Sequence, residues 1–136
     1  MPAGCQSSNL RLSFISGQGA AGTAYMTYGL TNTGSSPCTM IGYPGVAILD
    51  SQGQVVQHPA RRGSGTAPAV PVKLITLQPG QRASFLLTSS DVIPSPGCPH
   101  SYIGTTLQVF PPNQRGALQI SHTQQFCNLE VGAVHL

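Results

Sequence analysis

Charge is what this chain has least of. Three acidic and six basic residues make up 7% of its 136 positions, against the roughly one quarter usual in a globular domain, and there is no tryptophan. With only Asp50, Asp91 and Glu130 as carboxylates, a converging acid pair for general acid–base chemistry has few candidates. The net charge of +3 is scattered, because Arg11, Lys73, Arg82 and Arg115 lie far apart and only Arg61 and Arg62 adjoin. That pattern gives no electrostatic footprint for nucleic acid. No apolar run approaches the roughly 18 residues of a bilayer-crossing helix, and the longest, Val46-Ala47-Ile48-Leu49, has the length of a strand. Apolar residues also never repeat at helical spacing for three turns, which argues against amphipathic helices.

What is present is period two, punctuated by 16 glycines and 12 prolines. Leu10, Leu12 and Phe14 alternate with Arg11 and Ser13. Gly17-Gln18-Gly19 is read as a turn, after which Ala24, Met26, Tyr28 and Leu30 alternate with polar neighbours, predicting an antiparallel pair. Asn32-Thr33-Gly34-Ser35-Ser36-Pro37 has turn composition, residues 38–41 form a short strand, and Tyr43-Pro44-Gly45 turns the chain again. Residues 46–50 and 54–57 flank Ser51-Gln52-Gly53 as a hairpin. Residues 58–69 are expected to be an exposed loop, and residues 70–77 a strand that starts at a sheet edge because of Pro71. Gln78-Pro79-Gly80-Gln81 leads into Ala83, Phe85 and Leu87. A second loop spans 91–101, and residues 104–110 and 116–122 form the last pair of strands. The expected fold is all-β, an immunoglobulin-like antiparallel β-sandwich in one domain over residues 1–136.

Cys5, Cys38, Cys98 and Cys127 each fall near the ends of such ribbons. The midpoint of positions 98 and 127 lies at the turn of the last hairpin, so Cys98 is expected to pair with Cys127. The midpoint of 5 and 38 lies near the first turn, which favours Cys5 with Cys38. Four cysteines allow three connectivities, and the sequence does not exclude the two that link the chain halves. Two disulfides place the protein in an oxidising compartment. The first twenty residues have neither the basic nor the apolar region of a signal peptide, so an exported protein would be represented here by a mature or truncated chain.

Cys5, Leu30-Thr31-Asn32-Thr33-Gly34, Cys38-Thr39-Met40-Ile41-Gly42-Tyr43-Pro44-Gly45-Val46, Leu77-Gln78-Pro79-Gly80 and Cys98 together resemble the actinobacterial secreted domain of unknown function 4232 family. The similarity spans nearly the whole chain, and the segment around Cys38 is its most specific element. It implies an envelope protein or lipoprotein of mycobacterial or streptomycete type and brings no activity with it. Ala3-Gly4-Cys5 looks like the end of a lipobox, but Pro2 stands where an aliphatic residue belongs and acylation would leave Cys38 unpaired. An anchor, if there is one, lies upstream.

No catalytic residue is assigned. Ser64 sits in Arg62-Gly63-Ser64-Gly65 without the strand-to-helix context of a nucleophile elbow. Asp50 and Asp91 border turns, where aspartate bonds its own backbone. His58, His100, His122 and His135 share no ligand spacing, so neither metal nor cofactor is expected; Cys98-Pro99-His100 comes nearest and lacks further ligands. Binding is the leading class. His58, Arg61 and Arg62 are candidates to grip an acidic or phosphorylated partner, and His100 and Tyr102 offer a rigid aromatic surface. The expected function is a non-catalytic extracytoplasmic, cell-envelope recognition module for an unknown protein or envelope component, with no nucleic-acid partner and no transmembrane segment. A structural spacer of the cell wall is the alternative. A metal-binding or hydrolytic protein using His100 or His122 is a further one.

Overall fold

The computed structural model describes residues 2–20, 22–57, 61–62, 70–90, 102–126 and 129–136. Among them the alternating sequence becomes eleven strands: β1 Leu10–Ala20, β2 Thr23–Asn32, β3 Cys38–Met40, β4 Gly45–Leu49, β5 Val55–Gln57, β6 Arg61–Arg62, β7 Ile75–Leu77, β8 Arg82–Ser90, β9 Tyr102–Phe110, β10 Leu118–Phe126 and β11 Glu130–Val131. A single 3-10 turn, Ser7–Asn9, precedes β1. No described helix is long and apolar enough to cross a membrane. The protein is therefore all-β, with strands ordered β1-β2-β8-β11-β6 in one sheet, β10-β9-β4-β5 in a second, and β3-β7 as a separate pair. Among the described strands every pairing is antiparallel except that of β11 with β6, where Glu130 and Val131 run parallel to Arg61 and Arg62, and an isolated parallel bridge joins Gly4 to Thr39.

Register explains the core. Leu12, Leu30 and Ala83 form one row across β1, β2 and β8, and Phe14, Tyr28 and Phe85 form the next. Because side chains alternate between faces, these rows share one side of the sheet. Tyr28, Leu30, Phe85 and Leu87 join Val46 and Ile48 of β4 and Leu107 and Val109 of β9 in a single buried cluster. Each fully buried side chain of this kind contributes about 1.5–3 kcal/mol. The C-terminal residues complete the first sheet: Ser84 and His135 exchange both backbone hydrogen bonds, Gly132 N–H donates to the Leu86 carbonyl, and Val134 N–H donates to that of Gly42. Leu129, Val131 and Val134 enter the same core.

Several sequence expectations need adjustment. Gly17-Gln18-Gly19 is not a turn, because β1 continues through it with Gly17 opposite Met26 and Gly19 opposite Ala24. The reversal follows Ala20, with Gly22 at φ +83°. Extending the ladder along this edge outweighs the roughly 0.5–1 kcal/mol that a strand glycine costs. Arg61 and Arg62, expected in a loop, form β6 at the sheet margin. The strand expected over 70–77 shrinks to Ile75–Leu77. Pro71 has no N–H to offer a ladder, and Val72 and Leu74 stand about half exposed (50% and 48%). The other two hairpins form with shifted bounds: β4 and β5 pair close to the expected residues, whereas in the last pair β9 starts at Tyr102 and β10 runs from Leu118 to Phe126 instead of 116–122. In the one between β4 and β5, Gly53 takes φ +80°, while Asp50 Oδ1 accepts the N–H groups of Gln52 and Gln54, both at 2.9 Å.

Cys5 and Cys38 form a disulfide with their Cα atoms 4.8 Å apart, just beyond the open end of the β1–β2 ribbon. Cys98 and Cys127 lie outside the described residues.

Candidate functional site

The segment before β1 and the loop after β2 are tied together at two places, and a cleft of about 260 Å³ opens between them. At one end the Thr33 N–H donates to the Asn9 carbonyl at 2.9 Å. At the other are the Cys5–Cys38 disulfide and two backbone bonds, Cys5 N–H to Thr39 O at 2.7 Å and Thr39 N–H to Ala3 O at 2.9 Å. The 3-10 turn between these ties holds its own shape through Asn9 N–H to Gln6 O.

Asn32 fixes the opposite wall. It is 1% exposed, and its Nδ2 donates to the carbonyls of Ser36 (2.9 Å) and Leu77 (3.0 Å) while its Oδ1 accepts the Gly34 N–H at 2.9 Å. Its backbone bonds those of Gly80 and Gln81. One amide therefore knits the loop to the strand pair β3–β7, and every polar group of that amide is engaged. Gly34 sits close to both walls: a Cβ there would come within 3.2 Å of Asn32 Oδ1, tight enough to press on that amide, and within 3.5 Å of Asn9 Cγ. The remaining polar lining is Gln6, Asn9, Ser35 and Ser36, whose side chains make no hydrogen bond to another described residue. The lining contains no charged and no aromatic side chain.

A second cluster joins the margins of the two larger sheets. The fully buried Tyr28 hydroxyl lies 2.5 Å from Nδ1 of His122 and 3.8 Å from Met26 Sδ. Phe14 sits edge-on to both rings, with centroids 5.5 Å from Tyr28 and 5.1 Å from His122, and Phe85 stacks on Tyr28 at 5.8 Å. Burial pushes the Tyr28 phenol well above the ordinary tyrosine range, so it stays protonated and suits a neutral imidazole acceptor. His122 reaches this position from a bulge, since β10 loses register with β9 between Ser121 and Gln124. Bulges re-aim side chains in this way. The β1 strand is bulged between Phe14 and Ser16, directly against it.

Of the residues singled out from sequence, His58 and His100 lie outside the described residues. Arg61 and Arg62 are placed by backbone on β6, and Tyr102 opens β9 opposite Phe126. β6 lies at the margin of the first sheet and β9 inside the second. His122 meets Tyr28 and Phe14, while Glu130 stands on β11 opposite Thr88. His135 Nδ1 lies 3.1 Å from the Leu136 carbonyl. Among the described residues no three of His, Cys, Asp and Glu gather as metal ligands. Sequence reading identified the Asn32 turn but missed the cleft. The Cys5 and Cys38 pairing was its one available signal, because that bridge requires residues 3–9 to lie beside the turn.

The family model described as Domain of unknown function (DUF4232) matches residues 5–135. None of the curated proteins matches the chain.

Proposed function

Because the chain belongs to the DUF4232 family, we propose that it is an extracytoplasmic recognition module, a non-catalytic immunoglobulin-like β-sandwich that holds a protein or other component of the cell envelope. The observation that carries this reading is the cleft beside the disulfide, whose walls are pinned at both ends while four polar side chains are left facing solvent. Rigid walls with unengaged donors and acceptors lower the ordering cost of binding. The Cys5–Cys38 bridge supports an oxidising compartment and hence export. The β9–β10 ladder, which runs out to Phe126 opposite Tyr102, supports a second bridge from Cys127 to Cys98. Envelope residence in an actinobacterium completes the proposal.

Retention tests it. The unreduced chain is immobilised and exposed to envelope extract from its source organism, beside an Arg61→Ala, Arg62→Ala variant and an Asn9→Ala, Ser35→Ala variant. A component held by the parent chain and lost by the second variant supports recognition at the cleft, whereas loss in the arginine variant moves the site to β6. If the parent retains nothing above an unrelated β-domain, the recognition reading fails and a spacer role takes its place.

A further inference from the structure

We propose that the cleft is a subsite for a neutral, hydroxyl-rich ligand, one or two units of an uncharged glycan, held by the side-chain amides of Gln6 and Asn9 and the hydroxyls of Ser35 and Ser36. This deepens the recognition reading above and rests on it.

Charge comes first. Nothing in the lining carries a formal charge, so an anionic or cationic ligand would give up hydration without meeting a counter-ion. A neutral, hydroxyl-rich ligand gives up far less, and hydrogen bonds to the lining offset it. Amides and hydroxyls each offer a donor and an acceptor, which is also the property of every sugar hydroxyl, so the two surfaces satisfy one another in more than one orientation. A peptide bound through apolar side chains would instead need apolar recesses for them. Here the apolar lining is limited to Ala3, Pro37 and the half-bridge Cys38.

Availability comes next. Asn32 is fully engaged in holding the wall, so it is a positioning residue and takes no part in contact. Gln6, Asn9, Ser35 and Ser36 are unengaged within the described residues and lie on the two opposed walls, two on each. A ligand between them would be gripped from both sides. The volume of about 260 Å³ falls just under the roughly 300 Å³ at which small-molecule pockets begin, which suits a sugar unit or two. With no aromatic platform, affinity rests on hydrogen bonds alone, and a dissociation constant of about 1 mM is expected.

The test is a titration of the isotopically labelled, unreduced chain followed by amide NMR, with triacetylchitotriose, maltotriose, inorganic phosphate and an acetylated, amidated tri-alanine as probes. At least one trisaccharide is expected to shift the backbone amides of Gln6, Asn9, Ser35 and Ser36 and the side-chain amides of Gln6 and Asn9, saturably. Asn9→Ala and Gln6→Ala should each weaken that binding about five- to tenfold, the effect of one lost hydrogen bond. Both positions are exposed, and unchanged resonances for Tyr28 and Leu87 would show the fold intact. If the capped peptide or phosphate moves these amides and neither sugar does, the glycan assignment is overturned while recognition at the cleft stands. If no probe moves them, the glycan assignment is likewise overturned, and the retention experiment decides the broader reading separately.

Discussion

Tyr28 shows how one residue can serve both packing and pH response. Its place on the inner face was legible from the alternation of Ala24, Met26, Tyr28 and Leu30, but its partner was not. The direction of His122 is set by a bulge in another strand, which no local pattern announces. Because burial raises the folded phenol above its unfolded value of 10, the stability it confers is fully present below pH 10 and is lost as pH rises beyond that. Urea unfolding at about pH 8 and about pH 11 should show that decline in the parent chain, and Tyr28→Phe should flatten it at a cost of about 1 kcal/mol at neutral pH. Asn32 is the more exacting polar residue. Asn32→Ala strips three side-chain bonds from a buried site and should destabilise by about 2–3 kcal/mol in the same assay. Turn composition located Asn32; its reach to Leu77 depends on the docking of β7 and lay beyond any local reading.

At the level of elements, the ribbons were legible where alternation was uninterrupted and misread where glycine or proline stood in a strand-like run. Gly17 and Gly19 mimic a turn yet ladder against β2, because the strand needs backbone there and no side chain. Residues 70–74 keep strand composition but lie outside any ladder, with 71–74 exposed. The Cys5–Cys38 bridge was legible from its placement about the first ribbon. It closes a loop across 33 positions, which in the chain-entropy model is worth about 4 kcal/mol. Replacing both cysteines by serine should lower stability by about that amount in chemical denaturation. It should also loosen the cleft, read as faster exchange of the backbone amides at positions 5 and 39, which close one end of it. A smaller effect belongs to the β4–β5 hairpin. Asp50→Ala removes the acceptor of two turn N–H groups and should cost about 1 kcal/mol in thermal unfolding.

Across the molecule, one interior is shared by the two larger sheets, since Phe85 and Leu87 of the first belong to the same cluster as Ile48 and Leu107 of the second. Neither sheet can shed that contact alone. Phe85→Ala should therefore cost about 3–5 kcal/mol, and hydrogen exchange should quicken in β2 and β9 together; quickening confined to one sheet would contradict a common core. The two chain ends also lie in different settings. Pro2 is exposed next to Ala3, which lines the cleft, whereas Leu136 leaves from beside Ser84 on β8 and is 63% exposed. Any bead, dye or fusion attached at the front of the polypeptide would crowd the mouth of the cleft and make a competent surface look inert. The tail in turn pairs beside Ser84, toward the end of β2 and β8 that carries Asn32, so the direction in which this protein is tethered bears on what an array or pull-down can report.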